Sequence, residues 1–232
     1  MTTDDLQTDL WLSEKLGKPA FNLRHNFTQF ELDDFTDSPA FVSAKVPVVE
    51  LRSHLYLQQQ GFKVIDVSLQ YTGKPSQGKS LKGCPCLRIA QKEDEQAICQ
   101  LAAEEFLQNR FHQDPNVPAV VAAKIKRDWV ANFFLGKRGD LLLVATMQNV
   151  ICGFLLLIIQ PSHLIIDLIA VSKRFRQQGI GKSLIMFAWE QYREPSQEIL
   201  VGTQLSNPAS MALYSHLGLE LTSANYLLHL HR

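Results

Sequence analysis

A mixed α/β layer structure is predicted for this chain, with a small α/β domain and linker over residues 1–85 and a larger domain over residues 86–232. Three observations carry that expectation. From Leu87 onward, apolar runs of strand length alternate with helix-period segments in the order βααβββαβαβ. The middle strands are joined by hairpin-length connections, which makes the sheet mostly antiparallel, with helices to flank it. Residues 72–85, rich in glycine, proline and lysine, have the composition of a linker.

Each element has its own signal. VPVVELRSHLYLQQQGF reads as a helix, because Val49, Leu51, Leu55 and Leu57 recur at near-helical intervals and Gly61 offers a stop. KVIDVSLQY is a strand with one wet face, its Ile65, Val67, Leu69 and Tyr71 alternating with polar residues. Beyond the linker, Leu87 to Ala90 form a short strand, and a helix opened by Glu93 and Asp94 presents Ile98, Leu101, Ala102 and Phe106. RFHQDPNVP is a loop leading to a second helix, with Val121, Ile125, Trp129 and Phe133 on one face and an end near Gly136.

DLLLVATM, VICGFLLLII and HLIIDLIAV are three strands whose connections, QN and PS, make them antiparallel neighbours. GKSLIMFAWEQY is a helix with Ile185, Ala188, Trp189 and Tyr192 on one face and Pro195 just beyond it. EILVGTQ is a strand, NPASMALYSHLGL a capped helix ending near Gly218, and ANYLLHLHR a closing strand.

Composition narrows the function classes. At 232 residues the chain buries a substantial core without disulfides or a structural metal. Its 23 Lys and Arg balance 23 Asp and Glu, so no overall field draws nucleic acid or an anionic membrane, and a polyanionic ligand needs a local device. Cys84, Cys86, Cys99 and Cys152 have neither zinc nor redox spacing. The opening MTTDDLQTDLWL lacks a signal-peptide apolar region, and the apolar run Ile151 to Ile159 is shorter than the ~20 residues a bilayer requires. A cytoplasmic protein is expected.

Two stretches end in Gly-Lys-Ser. GKPSQGKS (73–80) satisfies G-x-x-x-x-G-K-[ST], but the strand before it is wet on one face, and Gly83 and Pro85 fall where the phosphate-binding helix should run. LIID (164–167), an apolar run ending in an aspartate, is the feature that favours a magnesium-nucleotide reading. RQQGIGKS (176–183) has Arg176 where that motif needs glycine, yet an apolar strand precedes it and an amphipathic helix follows. On these residues alone, the second stretch is either a metal-free pyrophosphate site at a helix N-terminus or a glycine-containing helix start without a ligand.

IAVSKRFRQQGIGKSLI resembles the acetyl-CoA signature of the GNAT superfamily of N-acyltransferases, [QR]-x-x-G-x-[GA], supplied here by Arg176, Gly179 and Gly181. With the flanking elements the likeness runs from about Leu87 to Arg232. It implies the GNAT acyl-CoA N-acyltransferase fold, acetyl-CoA as acyl-donor cosubstrate, and no metal. By the same likeness, backbone N–H groups of Arg176, Gln177, Gln178, Gly179, Ile180, Gly181 and Lys182 bind the pyrophosphate, and the backbone of Ile169, Ala170 and Val171 pairs with pantetheine. An N–H near Ala170 or Val171 then faces the thioester carbonyl, and the amine attacks directly. Asn207 is implied to touch the coenzyme and Tyr214 to protonate the departing thiolate; N-capping and core packing are the bland alternatives. Asp167 is the first candidate for the base, if a carboxylate in an apolar strand faces the cleft rather than solvent or backbone. His112, His163 and His216 are weaker candidates, and His229 with His231 shares one face of a strand, which alone makes no metal site.

RFHQDPNVP with KIKRDWVANFFLGKRGD, the short N-terminal domain and ANYLLHLHR together resemble the dTDP-fucosamine acetyltransferases and related acetyltransferases of amino-sugar nucleotides. Their likeness implies a small-molecule amine acceptor, an amino sugar on a nucleotide, and a homodimer. PAFNLRHNF departs from the opening usual in those relatives. Other acceptors, namely a protein N-terminus, a lysine or a small amine, stay open, as does a non-catalytic CoA-binding domain.

Overall fold

The computed structural model describes residues 5–31, 39–76, 85–194 and 197–232. The first part contributes β1 (Leu6–Thr8), α1 (Leu10–Leu16), β2 (Ala20–Leu23), β3 (Phe41–Pro47), α2 (Leu51–Gln59) and β4 (Lys63–Gly73). The second contributes β5 (Cys86–Ile89), α3 (Glu95–Glu105), α4 (Arg110–Gln113), α5 (Ala119–Phe134), β6 (Leu141–Met147), β7 (Val150–Ile159), β8 (His163–Val171), α6 (Ile180–Tyr192), β9 (Glu198–Gln204), α7 (Pro208–His216) and β10 (Glu220–His231).

All the strands join one sheet in the order β1-β2-β3-β10-β4-β9-β8-β7-β6-β5. Among the described residues only β2 with β3 and β8 with β9 run parallel; the other pairings are antiparallel, including the predicted β6–β7–β8 meander. The change of composition near residue 85 does not interrupt the sheet. β4 lies between β10 and β9, with Leu69 opposite both Ala224 and Thr203.

Strand alternation sends side chains to two faces. On one, Leu69, Tyr71, Leu164, Ile166, Ile199 and Val201 pack under α6 and α7, while Val42, Val46, Leu228 and Leu230 pack under α2. On the other, Leu142, Val144, Phe154 and Leu168 meet α3 and α5, and Phe41 meets Phe111 of α4 and Ile125 of α5. Capping fixes the helix starts. Asp9 Oδ1 accepts from Leu12 N at 2.8 Å to open α1, and Asn207 Oδ1 accepts from Ser210 N at 3.2 Å to open α7 behind Pro208.

The N-terminal part corrects the sequence reading in two places. Val46 and Pro47 end a strand rather than begin a helix, and β1 and β2 carried no sequence signal strong enough to predict them. Of the periodic residues only Leu57 is buried, with His54: Val49, ahead of α2, is 87% exposed, and Leu51 and Leu55 on α2 are exposed. In the second part, α4 forms within the predicted loop RFHQDPNVP because Asn109 Oδ1 accepts from Phe111 N (2.9 Å) and His112 N (3.4 Å).

A continuous sheet predicts cooperative unfolding. Leu228, fully buried on β10 between β3 and β4, ties the two parts. Leu228→Ala is expected to cost about 2–5 kcal/mol, and fluorescence from the Trp11 and Trp189 regions should report coincident urea transitions. Two separated transitions would show that the parts fold independently.

Candidate functional site

The site is built where the sheet opens. β8 and β9 pair in parallel from His163↔Glu198 to Ile166↔Val201 and then part. Asp167 to Val171 therefore keep β7 on one side and present a bare edge on the other, while the far edge of β9 stays held by β4 as far as Ser68↔Gln204. The parting begins at a register shift: Leu157 pairs with Ile166 and Leu156 with Leu168, so Asp167 is the extra residue of a bulge. Ile169, Ala170 and Val171 lie on the strand segment that flanks the opening.

β8 leads through a 3-10 turn (Lys173–Phe175) into the glycine turn. Gln177 (φ 62°) and Gly179 (φ 75°) both take left-handed backbone, and Gly179 is the N-cap of α6 with no side chain to cap it. The first intrahelical bond runs from Ser183 N to Gly179 O at 2.9 Å. Among the described residues, no acceptor pairs with the N–H groups of Gly179, Ile180, Gly181 and Lys182, so four donors and the positive end of the helix dipole converge beside the opening. α6 approaches closely because β7 carries glycine beneath it: a Cβ on Gly153 would meet Ala170 O at 3.0 Å and Ile180 Cγ2 at 3.3 Å.

Arg176 and Gln178 flank this turn. Arg176 donates through Nε to Val171 O (3.2 Å) and through its terminal nitrogen to Glu105 Oε2 (2.6 Å), and Glu105 Oε1 accepts from Lys173 N (2.6 Å). α3 thereby braces the loop, a partner that lies 71 residues away and gave no signal in the sequence.

Across the opening, α7 supplies the other two predicted residues. Asn207 is occupied as the helix cap, its Nδ2 donating to Ser210 Oγ at 2.9 Å. Tyr214 is 2% exposed and lies in the core beside Tyr71, with ring centroids 5.7 Å apart. Burial raises the Tyr214 phenol above its ordinary range, against the opposing hydrogen bond of Ser210, so the hydroxyl stays protonated at any physiological pH.

Asp167 differs from the expectation of an apolar setting. Arg138 grips it bidentately, Nε to Oδ2 at 2.7 Å and a terminal nitrogen to Oδ1 at 2.6 Å, and Trp129 Nε1 donates to Oδ2 at 3.1 Å. Both carboxylate oxygens are thus engaged by donors from Arg138 and Trp129 rather than set in an apolar pocket. Arg138 and Trp129 escaped the sequence reading because they come from the loop before β6 and from α5.

The histidines divide. His163 begins β8, at the end away from the opening, with Nδ1 2.8 Å from Ser162 Oγ, and His216 is exposed. The Asn109 amide, oriented by its capping bonds, donates Nδ2 to His112 Nδ1 at 2.7 Å, so a neutral His112 carries its hydrogen on Nε2 and has no free lone pair for a proton. His229 and His231 share one acceptor: Asp114 Oδ2 receives His229 Nδ1–H and His231 Nε2–H, each at 2.7 Å.

Asp114, His229 and His231 also place ligand atoms within 4.8 Å of one another, the one such group among the described residues. A cation there would compete with Lys18 Nζ, 3.3 Å from His231 Nδ1, and would meet the charge of Arg110 that already acts on His229. The cluster is a hydrogen-bond knot tying β10 to the segment after α4, with His229 Nε2 left buried and unpartnered. Of the first Gly-Lys-Ser, Gly78, Lys79 and Ser80 lie outside the described residues, as do Cys84 and Pro195.

The sequence profile of the acetyltransferase (GNAT) family matches residues 96–219. The chain is 26% identical over 238 residues to the spore coat polysaccharide biosynthesis protein SpsD of Bacillus subtilis (strain 168), covering 97% of this chain and 82% of that one. Its fold is similar to a GCN5-related N-acetyltransferase from Sphaerobacter thermophilus (TM-score 0.61, 16% identity, 98% and 76% of the two chains). It is also similar to a functionally unknown conserved protein from Staphylococcus epidermidis ATCC 12228 (TM-score 0.64, 12% identity, 92% and 85%). No described helix is long and apolar enough to cross a membrane.

The Asp114 knot makes stability pH-dependent. Burial holds the His229 imidazole down to about 4, outweighing its bond to Asp114, while hydrogen bonds from His229, His231 and Asn116 N–H overcome burial and keep the Asp114 carboxyl well below the usual range. Both groups bind protons more readily when unfolded: the His229 contribution is complete above about pH 6.5 and is lost as pH falls toward 4, whereas the Asp114 contribution persists through that window and is lost only below the ordinary carboxylate range. Urea unfolding should show a loss of roughly 1–3 kcal/mol across that window, flattened in His229→Phe. A flat wild-type profile would contradict the assignment.

Proposed function

The chain belongs to the acetyltransferase (GNAT) family and is an acyltransferase, and from that premise we propose that it moves an acetyl group from acetyl-CoA to the amine of an amino sugar carried on a nucleotide. The observation that supports the donor is the set of unpaired N–H groups from Gly179 to Lys182, aimed beside a bare strand edge. A diphosphate fits that nest without a divalent ion, because the helix dipole and the N–H groups supply the positive field. Arg176, Gln177 and Gln178 complete the turn, and Arg176, bound to Glu105, holds it in shape.

The edge of β8 serves pantetheine in the manner of an added strand, Ile169 to Val171 offering backbone donors and acceptors. Negative charge developing on the thioester oxygen is met by a backbone N–H at Ala170 or Val171. The neutral amine attacks the carbonyl carbon, the C–S bond breaks, the proton the nitrogen loses passes through water to end on the leaving sulfur, and Tyr214 meets that sulfur with its hydroxyl as a hydrogen-bond or proton donor that is reprotonated in the same turnover. Its burial favours the hydrogen bond, since a raised phenol is a weaker acid than a thiol. Asn207 caps α7, the helix that carries Tyr214. Asp167, with Arg138 and Trp129, is a positioning residue on the acceptor side.

The sugar acceptor is supported by the likeness to SpsD, whose name places that protein in polysaccharide biosynthesis. Calorimetry should show acetyl-CoA binding that survives EDTA, and free-thiol release should depend on nucleotide-linked amino sugars. Tyr214→Phe is expected to retain acetyl-CoA affinity while kcat falls roughly 10²-fold. Turnover restricted to peptide amines would remove the sugar reading, and loss of coenzyme binding on EDTA treatment would remove the metal-free one.

A further inference from the structure

On the face of the sheet opposite α6, three cations converge from separate elements. Lys45 points from β3, whose Phe41 packs on the same face against α4 and α5; Arg110 opens α4; and Lys126 lies one turn before Trp129 on α5. Arg110 and Lys126 rest on aromatic rings, and Lys45 adds its charge beside Arg110. Arg110 lies over the Phe111 ring (4.7 Å to its centroid), and Lys126 Nζ lies over Trp129 (4.2 Å) and Phe106 (5.3 Å). Among the described residues none of the three forms a salt bridge or donates a side-chain hydrogen bond.

The acids that reach this cluster are already committed. Asp9 acts on Arg110, but its Oδ1 accepts from Leu12 N and its Oδ2 from Asn22 Nδ2 at 3.3 Å. Asp167 acts on Lys126 but is gripped by Arg138, which also lies 4.3 Å from the Trp129 centroid. Burial first, and then the Arg110 charge, lower the Lys45 and Lys126 ammonium groups, the latter to about 8. Such an arrangement is costly unless an anion completes it.

Its position says which anion. Lys126 lies over the Trp129 ring, whose Nε1 donates to Asp167, the bulge residue at which β8 leaves β9, so the cluster borders the opening from the side away from the coenzyme helix. We propose that Lys45, Arg110 and Lys126 hold a phosphate or diphosphate carried by the acceptor, so that the substrate is a phosphorylated amino sugar whose amine is directed at the opening. This rests on the amino-sugar reading above and adds the residues that select for the phosphate. Cations without a salt-bridge partner suit the negative charges of a diphosphodiester, and the rings of Phe106, Phe111 and Trp129 keep away the water that would screen them.

The test uses the full chain with the coenzyme site saturated by CoA, and inorganic pyrophosphate as probe in calorimetry. Pyrophosphate should still bind, and Lys126→Met and Arg110→Gln should each weaken it about tenfold to hundredfold, while Lys124→Gln, on the exposed side of α5, should not. Lys45→Gln, whose side chain reaches solvent while its ammonium is partly desolvated, is the variant of the three that disturbs the core least and should give a smaller loss in the same direction. With amino-sugar acceptors, the preference in kcat/KM for the nucleotide-diphosphate form over the free sugar should fall in Lys126→Met, and a sugar monophosphate tested alongside distinguishes one phosphate from two. Pyrophosphate binding that CoA abolishes, or that all three variants leave unchanged, would overturn the proposal. Loss of pyrophosphate binding in the variants of an enzyme that acetylates no amino sugar would uphold the anion site and refute the sugar.

Discussion

The parting of two parallel strands is the constraint on which the rest of the site depends. β8 and β9 leave each other after Ile166↔Val201, and separated strands expose backbone groups that a sheet would otherwise satisfy. The opening persists because each strand is held along its other edge, β8 by β7 and β9 by β4, and because the extra residue Asp167 alters the register where the separation starts. Arg138 and Trp129 fix that bulge from the next layer. β4 is itself held on its far side by β10, so the N-terminal strands contribute directly to keeping the opening in place.

The opening has two chemically different sides. Toward α6 the positive field comes from backbone: unpaired N–H groups, a left-handed glycine cap and a helix dipole, with Arg176 turned aside to Glu105. Toward α5 it comes from side chains set against aromatic rings. A chain with equal numbers of acids and bases has no long-range field to offer, so the two proposed anion sites depend on local placement and on exclusion of water. The division suits a reaction in which two anionic substrates must meet at neutral reacting groups without their phosphates approaching each other.

Much of the second part was legible in the sequence. Runs such as VICGFLLLII and HLIIDLIAV declare themselves as buried strands, hairpin connections set their directions, and Arg176, Gly179 and Gly181 mark the turn before α6. The N-terminal strands were not legible. β1 and β2 are short, and β3 mixes buried Val42 and Val46 with exposed Lys45, so neither alternation nor an apolar run stands out. Pairings that cross the chain, β10 with β3 and β4, have no local signature. The same holds for the partners of Asp167 and for the cation cluster: Lys45, Arg110 and Lys126 come from three elements, and the fold alone brings them together. Exposed Leu51 and Leu55 show the converse, a helical period that marks no buried face.

Amide proton and nitrogen shifts of Gly179, Ile180, Gly181 and Lys182, followed by nuclear magnetic resonance as CoA is added in the presence of EDTA, test the central claim most directly. If these groups hold the diphosphate, their resonances move together, saturate with the calorimetric affinity, and gain protection from hydrogen exchange. If they stay in place while CoA binds elsewhere, α6 is not the coenzyme site.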